Sequence, residues 1–323
     1  MRIFSDAHFS FIEKRKSAYF LSGALLLAAI GAMVTNVALI GSWQDYGVDF
    51  TGGSLIQVRF EGSMTAGELR DALGGSTAPA ITRFGAENEF TIRAPGLEDA
   101  SVDEVRQQLE DEIGVAFGSG SFEVVRADLV GAKVGDELQR LAALAIILSF
   151  FLTLIYIAFR FELRFGIAAI IATVHDIMLT LGFLALFRVE IALPTVAALL
   201  TIVGYSLNDT IVVFDRVREN LDRKGGRKED QELLVNRSIN ETLPRTVLTS
   251  GTTLAVLLAL FILGGAVIRD FTMVLILGVI IGTYSSIFVA SPALLEIQKR
   301  WGTGDDKEKE KARRRRKSAS VPV

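Results

Sequence analysis

The sequence contains no cysteine and only two histidines, His8 and His175, among its 323 residues. Without cysteine the chain can form neither a disulfide nor a thiolate metal site, and two histidines are too few for a typical histidine-based metal centre. No phosphate-binding loop of the pattern GxxxxGK[S/T] occurs. We therefore expect no cofactor, no nucleotide hydrolysis by the chain itself and no enzymatic activity.

Half of the residues are hydrophobic and the mean hydropathy is +0.40, which is typical of a protein that crosses a membrane several times. Six apolar runs each exceed the length of about 18 residues that a spanning helix needs. The runs are Ala18–Ile40, Leu141–Phe159, Phe165–Phe187, Ile191–Phe214, Thr246–Ile268 and Phe271–Leu295. The first run is too long for a signal-peptide core and no cleavage pattern follows it, so we interpret it as an uncleaved helix. The sequence predicts an α-helical polytopic membrane protein with six transmembrane helices.

Residues 41–140 form the one long hydrophilic segment, and this segment is acidic. Strand patterns alternate with two capping boxes, one at Thr65 and one at Ser101, each of which opens a helix. The predicted strands are Ser54–Phe60, Ile81–Phe84, Glu89–Arg93 and Ser121–Arg126. The order βαββαβ predicts one small α+β domain of ferredoxin-like fold between helices 1 and 2.

Lysine and arginine are concentrated at the N-terminus (residues 1–17), in the loop at 215–245 and in the tail (residues 296–323). By the positive-inside rule we expect both termini to be cytoplasmic and the acidic α+β domain to lie on the opposite side of the membrane. Glu229–Leu243, within that loop, is predicted to be an amphipathic helix on the membrane surface. We interpret the basic run Arg313–Lys317 as a solvated tail, with binding to anionic lipid or ribosomal RNA as the alternative.

The fourth apolar run contains a carboxylate, Asp209, at a depth where water is scarce. A charged residue at a bilayer centre costs about 2.5–3.5 kcal/mol on insertion scales, so it is paired, neutral or functional. Polar residues follow the same helical faces in three runs. They are Thr201, Tyr205, Asn208, Asp209 and Arg216; Thr173, Asp176 and Thr180; and Arg245, Thr249, Thr252 and Thr253.

We expect Asp176, Asp209 and Arg245 to form a ladder suited to carrying protons, because a carboxylate that gains and loses a charged partner changes its protonation with conformation. The alternative is a static Asp209–Arg245 pair that only fixes helix packing, although buried pairs seldom add stability over apolar residues. His175 is expected to point to a different face from Asp176 and to be a hydrogen-bonded packing residue.

Two glycine patterns complete the candidate features. Gly278 and Gly282 form a GxxxG motif that Ser286 extends, which favours close helix packing within this chain, with contact to a second subunit as the alternative. Asp49, Phe50, Thr51, Gly52 and Gly53 precede the first strand, and their glycines predict a turn with positive φ.

These motifs carry a family resemblance. Asp49–Gly53 (DFTGG) resembles a signature of the SecD/SecF family of protein-export membrane proteins. Gly204–Asn220 (GYSLNDTIVVFDRVREN), Leu248–Leu254 (LTSGTTL) and the pair His175-Asp176 are similar to the SecF branch of that family.

The resemblance implies a bacterial inner-membrane protein of the resistance-nodulation-division superfamily, with a periplasmic α+β domain. It implies that the protein pairs with SecD, assists the SecYEG channel and SecA, often with YajC, and uses proton-motive force to draw preproteins outward. It implies that Asp209 is the proton-linked aspartate and Arg245 its linked arginine. Membrane lipid is an expected partner and nucleic acid is not. Two alternatives stay open: a scaffold that moves no protons, and a small-molecule or lipid exporter.

Overall fold

The computed structural model describes residues 8–75, 78–84, 88–94, 102–118, 120–160, 162–223, 229–265 and 268–301. Its helices are α1 (Arg15–Ile40), α2 (Val48–Thr51), α3 (Ala66–Ala72), α4 (Val102–Phe117), α5 (Ala132–Arg160), α6 (Leu163–Phe187), α7 (Leu193–Asp222), α8 (Gln231–Leu263), α9 (Arg269–Ser285) and α10 (Ser291–Trp301), with a π-helical turn at Ser286–Ala290 between the last two. Its strands are β1 (Gly53–Phe60), β2 (Ala80–Arg83), β3 (Glu89–Ala94) and β4 (Phe122–Val130).

The described residues include six helices that are long and apolar enough to cross a membrane, which confirms the predicted fold class. They are α1, α5, α6, α7, α8 and the continuous helix formed by α9, the π-helical turn and α10. Burial separates inner from outer helices. More than half of the apolar window of α6 and of α7 is buried, against 11% in α1 and 6% in α5. The inner helices α6, α7 and α9 therefore provide the packed core of the membrane part.

The segment at 215–245 differs from the predicted loop. The helix α7 continues to Asp222, and α8 begins at Gln231, where the Asp230 side chain accepts hydrogen bonds from two backbone N–H groups of the first turn. The predicted amphipathic helix is therefore the first half of α8. Its apolar residues Leu234 and Ile239 are buried in one cluster with Phe214 and Leu294, so they pack on the protein rather than on the membrane surface.

The α+β domain, residues 45–130, has a four-stranded sheet of order β2-β3-β1-β4 in which all pairings are antiparallel. This order is that of a ferredoxin-like sandwich, as predicted. Apolar side chains of the sheet and the two helices form one core around Val58, Phe60, Leu69, Phe90 and Ile113. The strand positions agree with the sequence pattern because each strand alternates or runs apolar between turn residues.

The two predicted capping boxes have different outcomes. Thr65 caps α3, since its hydroxyl accepts from the Glu68 backbone and the Glu68 carboxylate accepts from the Thr65 backbone. The Thr65 hydrogen bonds hold the pKa of Glu68 below its usual value. The second box begins at Ser101, which lies outside the described residues, and α4 is described from Val102.

The α+β domain contacts the membrane part at the start of α7. Gly47 N–H donates to the Ile191 carbonyl (2.9 Å), and Ile191 N–H donates to the Asp45 carbonyl (2.8 Å). Arg93 of β3 forms an ion pair with Glu190 in the loop before α7. Burial lowers the pKa of Arg93 from its ordinary value, and the nearby carboxylates Asp45 and Asp270 oppose that shift. Backbone and charge together join the sheet to the α6–α7 loop.

Glycines permit the closest helix contacts. A Cβ at Gly278 would overlap the Ile202 side chain of α7, and one at Gly282 would lie 3.1 Å from Ser206 Cβ. The GxxxG motif therefore packs within this chain, on α7, as expected. Gly182 of α6 faces Ala29 of α1, where a Cβ would overlap the Ala29 Cβ and lie 2.6 Å from its Cα.

We predict that Gly182→Ala will destabilise the protein by about 1–3 kcal/mol, because α1 must move away from α6 to admit the methyl group. The measurement is the thermal unfolding midpoint of the purified protein in detergent. Gly23→Ala on α1 is the matched control, since a Cβ there meets nothing within 4 Å. Equal midpoints for the two variants would contradict the prediction.

Candidate functional site

Asp209 lies inside the helix bundle with only 6% of its surface exposed. Each carboxylate oxygen has one hydroxyl donor from a different helix. Thr246 Oγ1 of α8 donates to Oδ1 at 2.7 Å, and Ser286 Oγ of the π-helical turn donates to Oδ2 at 2.5 Å. The acid thus joins three helices, and a change in its protonation alters the hydrogen bonds to two of them.

Asp176 is a second buried acid, on α6, with no exposed surface. Ser285 Oγ of α9 donates to its Oδ2 at 2.7 Å, and Ser206 Oγ of α7 donates to the same oxygen. The other oxygen, Oδ1, lies 2.9 Å from His175 Nδ1. Every polar partner of this carboxyl group is itself a buried protein side chain.

Consecutive serines connect the two acids. Ser285 donates to Asp176 and Ser286 donates to Asp209, so both acids are held at one point of the last spanning helix. The π-helical turn Ser286–Ala290 begins at this point, and Ser291 Oγ donates to the Ser286 carbonyl at 2.7 Å. A π turn inside an α-helix loosens the regular hydrogen-bond ladder and is frequent at functional sites. The last helix therefore departs from regular α-helical geometry where it contacts both acids.

The structure does not form the expected ion pair between Asp209 and Arg245, both of which are described. The Arg245 side chain is exposed, and it is the next residue, Thr246, that contacts the acid. The arginine charge is still near enough to interact electrostatically with Asp209. The physical reason is helical geometry, since neighbouring residues lie about 100° apart around the axis and cannot face the same partner.

The remaining residues of the predicted polar faces have different positions. Tyr205 donates to Ser250 Oγ at 3.1 Å, and Ser250 lies 2.7 Å from Thr283, so this tyrosine links α7, α8 and α9. Asn208 and Thr249 are exposed. Most of the threonine hydroxyls donate to backbone carbonyls of their own helices, as isolated hydroxyls commonly do in membrane helices: Thr173, Thr180, Thr201, Thr249 and Thr252.

Arg216 binds the carboxylates of Glu241 (2.6 Å) and Glu219 (2.5 Å), away from the buried acids. His175 is buried and hydrogen-bonded as expected, and it faces Ser22 of α1 whereas Asp176 faces Ser206 of α7. Its Nδ1 nevertheless lies 2.9 Å from Asp176 Oδ1. Although adjacent residues usually diverge, the imidazole ring is long enough to bring Nδ1 back to the neighbouring carboxyl group.

One face of the membrane part is polar although it is exposed. We call it the polar membrane face, and it comprises Thr201, Gly204 and Asn208 of α7 with Arg245, Thr249 and Thr252 of α8. An asparagine and an arginine are costly against hydrocarbon, so such residues in spanning helices face protein or water. This face therefore needs a cover other than lipid.

The signature segment Asp49–Gly53 is a short helix followed by two glycines, rather than only a turn. Asp49 Oδ2 accepts from the Leu193 N–H (2.9 Å), which is the first residue of α7. Thr51 ends the short helix, and Gly52 (φ 70°) and Gly53 (φ 121°) have the positive φ that was predicted. Phe50 is buried against Ile191 and Leu199. The segment thus links the sheet to the helix that carries Asp209.

Sequence reasoning missed the four hydroxyl groups that donate to the acids, those of Ser206, Thr246, Ser285 and Ser286. Each is a small hydroxyl in an apolar run, which looks like a packing residue. The available signal was the adjacency of Ser285 and Ser286, since two neighbouring hydroxyls must face different directions. Within the described residues no group of three His, Cys, Asp or Glu side chains is placed to hold a metal ion.

Comparison with known proteins places these residues in a family. The model described as protein export membrane protein SecD/SecF, C-terminal, matches residues 111–300, and the SecD/SecF GG motif matches residues 45–64. Protein translocase subunit SecF of Gemmatimonas aurantiaca is 43% identical over 313 residues, covering 95% of this chain and 92% of that protein. Protein translocase subunit SecF of Magnetococcus marinus is 45% identical over 302 residues, covering 91% and 94%.

Solved structures agree with the sequence relatives. The crystal structure of SecDF from Thermus thermophilus, described as a translocon-associated membrane protein, matches with a TM-score of 0.79 at 39% identity. The match covers 93% of this chain but 40% of that longer chain. SecDF in its super-membrane-facing form matches with a TM-score of 0.65.

The GG motif match includes Asp49–Gly53, and the C-terminal match includes Asp176, Asp209 and Arg245. The identities extend over nearly the whole chain and nearly the whole of the SecF relatives. The chain belongs to the SecD/SecF family of protein export membrane proteins, among its SecF members.

Proposed function

We propose that the chain is a subunit of the protein translocase that, with SecD, uses proton-motive force to assist preprotein export. It acts on preproteins in the SecYEG channel after SecA-driven translocation, with YajC as a further partner. The names of its relatives support the translocase assignment, and the fused SecDF relative supports SecD as the partner. The protein lies in the bacterial inner membrane with both termini cytoplasmic and the α+β domain periplasmic.

The observation that carries the proton role is the pair of donors on Asp209. In a site away from water, an ionised carboxylate holds Thr246 and Ser286 strongly because both hydroxyls donate to negative charge. Protonation removes that charge and weakens both contacts. Since the two donors lie on different helices, each proton gained or lost favours a different packing of α8 and the last helix against α7.

The energy available suits this role. One charge that moves through 100 mV of membrane potential releases about 2.3 kcal/mol. That free energy biases a two-state equilibrium by about fiftyfold. The single helix α7 then connects the acid to the α+β domain, because its first residue, Leu193, is bound by Asp49 and its preceding loop is bound by Arg93. A shift of α7 is transmitted to the domain that faces the emerging preprotein.

The polar membrane face supports partnership with SecD. This protein matches 40% of the length of the solved SecDF chain. The rest of that fused chain is further protein beyond the matched part. Docking of SecD on this face removes Asn208 and Arg245 from hydrocarbon. It also places the Arg245 charge in an interface close to Asp209, where it acts on the acid without a direct ion pair.

We predict that Asp209→Asn will abolish the export assistance driven by proton-motive force, because the amide cannot gain or lose a proton. The measurement is preprotein translocation into inverted membrane vesicles, with and without a proton-motive force, after confirming that SecD and the variant co-purify. Asp215→Asn, an exposed acid six residues later on α7, is the control. Unimpaired assistance by Asp209→Asn favours the scaffold function instead.

We predict that Gly204→Leu will weaken association with SecD at least about tenfold, equivalent to 1.4 kcal/mol, while the isolated chain stays folded. A Cβ at Gly204 meets nothing within 4 Å in this chain, so a bulky side chain there interferes only with a neighbour. Gly31→Leu on α1, equally open, is the matched control. The measurement is co-purification with SecD at graded concentrations, and an unchanged complex places SecD on another face.

We predict that Gly135→Ala will reduce export assistance by more than its loss of thermal stability explains. A Cβ at Gly135 would lie 2.9 Å from Gly52 N and 3.0 Å from the Phe50 carbonyl, so the methyl group separates α5 from the signature segment. Gly131→Ala, just before α5, meets nothing within 4 Å and serves as the control. If both variants assist export equally, the contact of the signature segment with α5 has no role in transmission.

A further inference from the structure

A hydrogen-bond network of buried and partly buried groups runs from Asp176 to the beginning of α1. His175 Nδ1 lies 2.9 Å from Asp176 Oδ1, and His175 Nε2 lies 3.2 Å from Ser22 Oγ on α1. Ser22 Oγ lies 3.1 Å from the Tyr284 hydroxyl on α9, which donates to the Ala18 carbonyl at 3.0 Å. The imidazole ring also stacks on the Tyr284 ring, with centroids 6.3 Å apart.

The carbonyl at the end of this network fixes the direction of each hydrogen bond as far as His175 Nε2. The Ala18 oxygen can only accept, so the hydrogen of Tyr284 is committed to it. The Tyr284 oxygen must then accept from Ser22, which commits the one hydrogen of that serine. The Ser22 oxygen is left as an acceptor, so His175 Nε2 must carry a hydrogen and donate it.

With Nε2 protonated, the contact on the other side of the ring needs a proton of its own. In neutral His175 the Nδ1 atom is then a bare acceptor, and an ionised Asp176 would present a second lone pair to it at 2.9 Å. The contact is a hydrogen bond only if a proton lies on Oδ1 or on Nδ1. Both arrangements give the pair the same number of protons and no net charge.

The competing assignment satisfies fewer groups. If Nδ1–H donates to an ionised Asp176, Nε2 must accept from Ser22, and the Ser22–Tyr284 contact then has no hydrogen. That assignment loses one buried hydrogen bond and leaves a net negative charge at a residue with no exposed surface. The ionisable groups that contact the His175 ring are Asp176 and Tyr284. The other side chains that contact the Asp176 carboxyl group are two serines, Ser206 and Ser285.

We propose that His175 and Asp176 together form a second proton-binding site, in which one proton is shared between Nδ1 and Oδ1 and Ser22 and Tyr284 select the ring tautomer. The transfer is balanced: when the O–H bond of Asp176 breaks, the N–H bond at Nδ1 forms, and the pair keeps its zero net charge. The site links α1, α6, α7 and α9 through side chains that are 0–6% exposed, apart from the partly buried Tyr284.

The role of this site in transport rests on the proposed function. Ser285 holds Asp176 and the next residue holds Asp209, so movement of the last helix alters the contacts of both acids together. Loss of the shared proton leaves an uncompensated charge in the core, which favours a rearrangement that brings in a new donor. His175 thus positions Asp176 and shares a proton with it.

Nitrogen NMR on histidine tests where the proton lies, independently of transport. The chain has two histidines, so His8→Gln leaves His175 as the single source of signal in protein labelled with ¹⁵N-histidine. We expect Nε2 to be protonated and Nδ1 to be intermediate between protonated and bare. In Asp176→Asn we expect Nδ1 to become an ordinary bare acceptor while Nε2 keeps its hydrogen. A neutral ring with hydrogen on Nδ1 and a bare Nε2 in the parent protein would overturn the proposal.

Tyr284→Phe tests the tautomer selection with almost no change in volume. Without the phenol oxygen, Ser22 can donate to Nε2, so we expect a second tautomer to appear in the spectrum. Tyr19→Phe on α1 is the matched control, since Tyr19 is 38% exposed and is not part of the hydrogen-bond network. A single unchanged tautomer in Tyr284→Phe would show that the hydrogen-bond network does not select the tautomer of His175, contrary to the proposal.

Translocation at several pH values tests the role. We expect His175→Asn to lose the part of export assistance that depends on proton-motive force, and Tyr284→Phe to shift its pH profile, while Tyr19→Phe keeps the parent profile. A parent-like profile for His175→Asn overturns the transport role even where the NMR result stands. If Asp209→Asn also assists normally, it is the proton-driven function itself that fails, and the two failures are thereby distinguished.

Discussion

A carboxyl group away from water needs a hydrogen-bond partner from the protein for each of its oxygens, and the membrane part is arranged around two such groups. Asp209 and Asp176 lie on the inner helices α7 and α6, and hydroxyls from α7, α8 and the last helix reach them. Because unsatisfied polar groups are expensive in hydrocarbon, these few contacts determine how the inner helices are placed relative to one another. Packing by small residues then supports that placement, as at Gly278 and Gly282.

The last spanning helix has a special position in this arrangement. Among the described helices it alone supplies donors to both acids, through adjacent serines, and its regular hydrogen bonding is interrupted where those serines lie. A π-helical turn inside an α-helix is rare and is frequent at functional sites. The same small region therefore combines contacts to two buried acids with an interruption of the regular α-helix.

The N-terminal end of α7 contacts the α+β domain and fixes its position on the membrane part. Its first N–H is bound by Asp49, and the loop before it pairs with the backbone of residues 45–47 and with Arg93. These contacts include backbone hydrogen bonds and an ion pair, so both kinds of interaction hold the junction together. The signature segment is thus explained by position: it lies where the domain, α5 and α7 meet.

The sequence by itself determined the six apolar helices and the ferredoxin-like domain, placed Asp209 inside an apolar run, and favoured internal packing of the GxxxG motif. Hydrophobic run length and period-two alternation are local properties, so they are readable without a structure. Only the tertiary structure decided that α7 and α8 both extend into the predicted loop, that Arg245 is exposed, and that Thr246, Ser285, Ser286 and His175 contact the acids. The reason is that a hydroxyl in an apolar helix costs little and carries no pattern of its own, and its partner is set by the rotation of a helix far away in sequence.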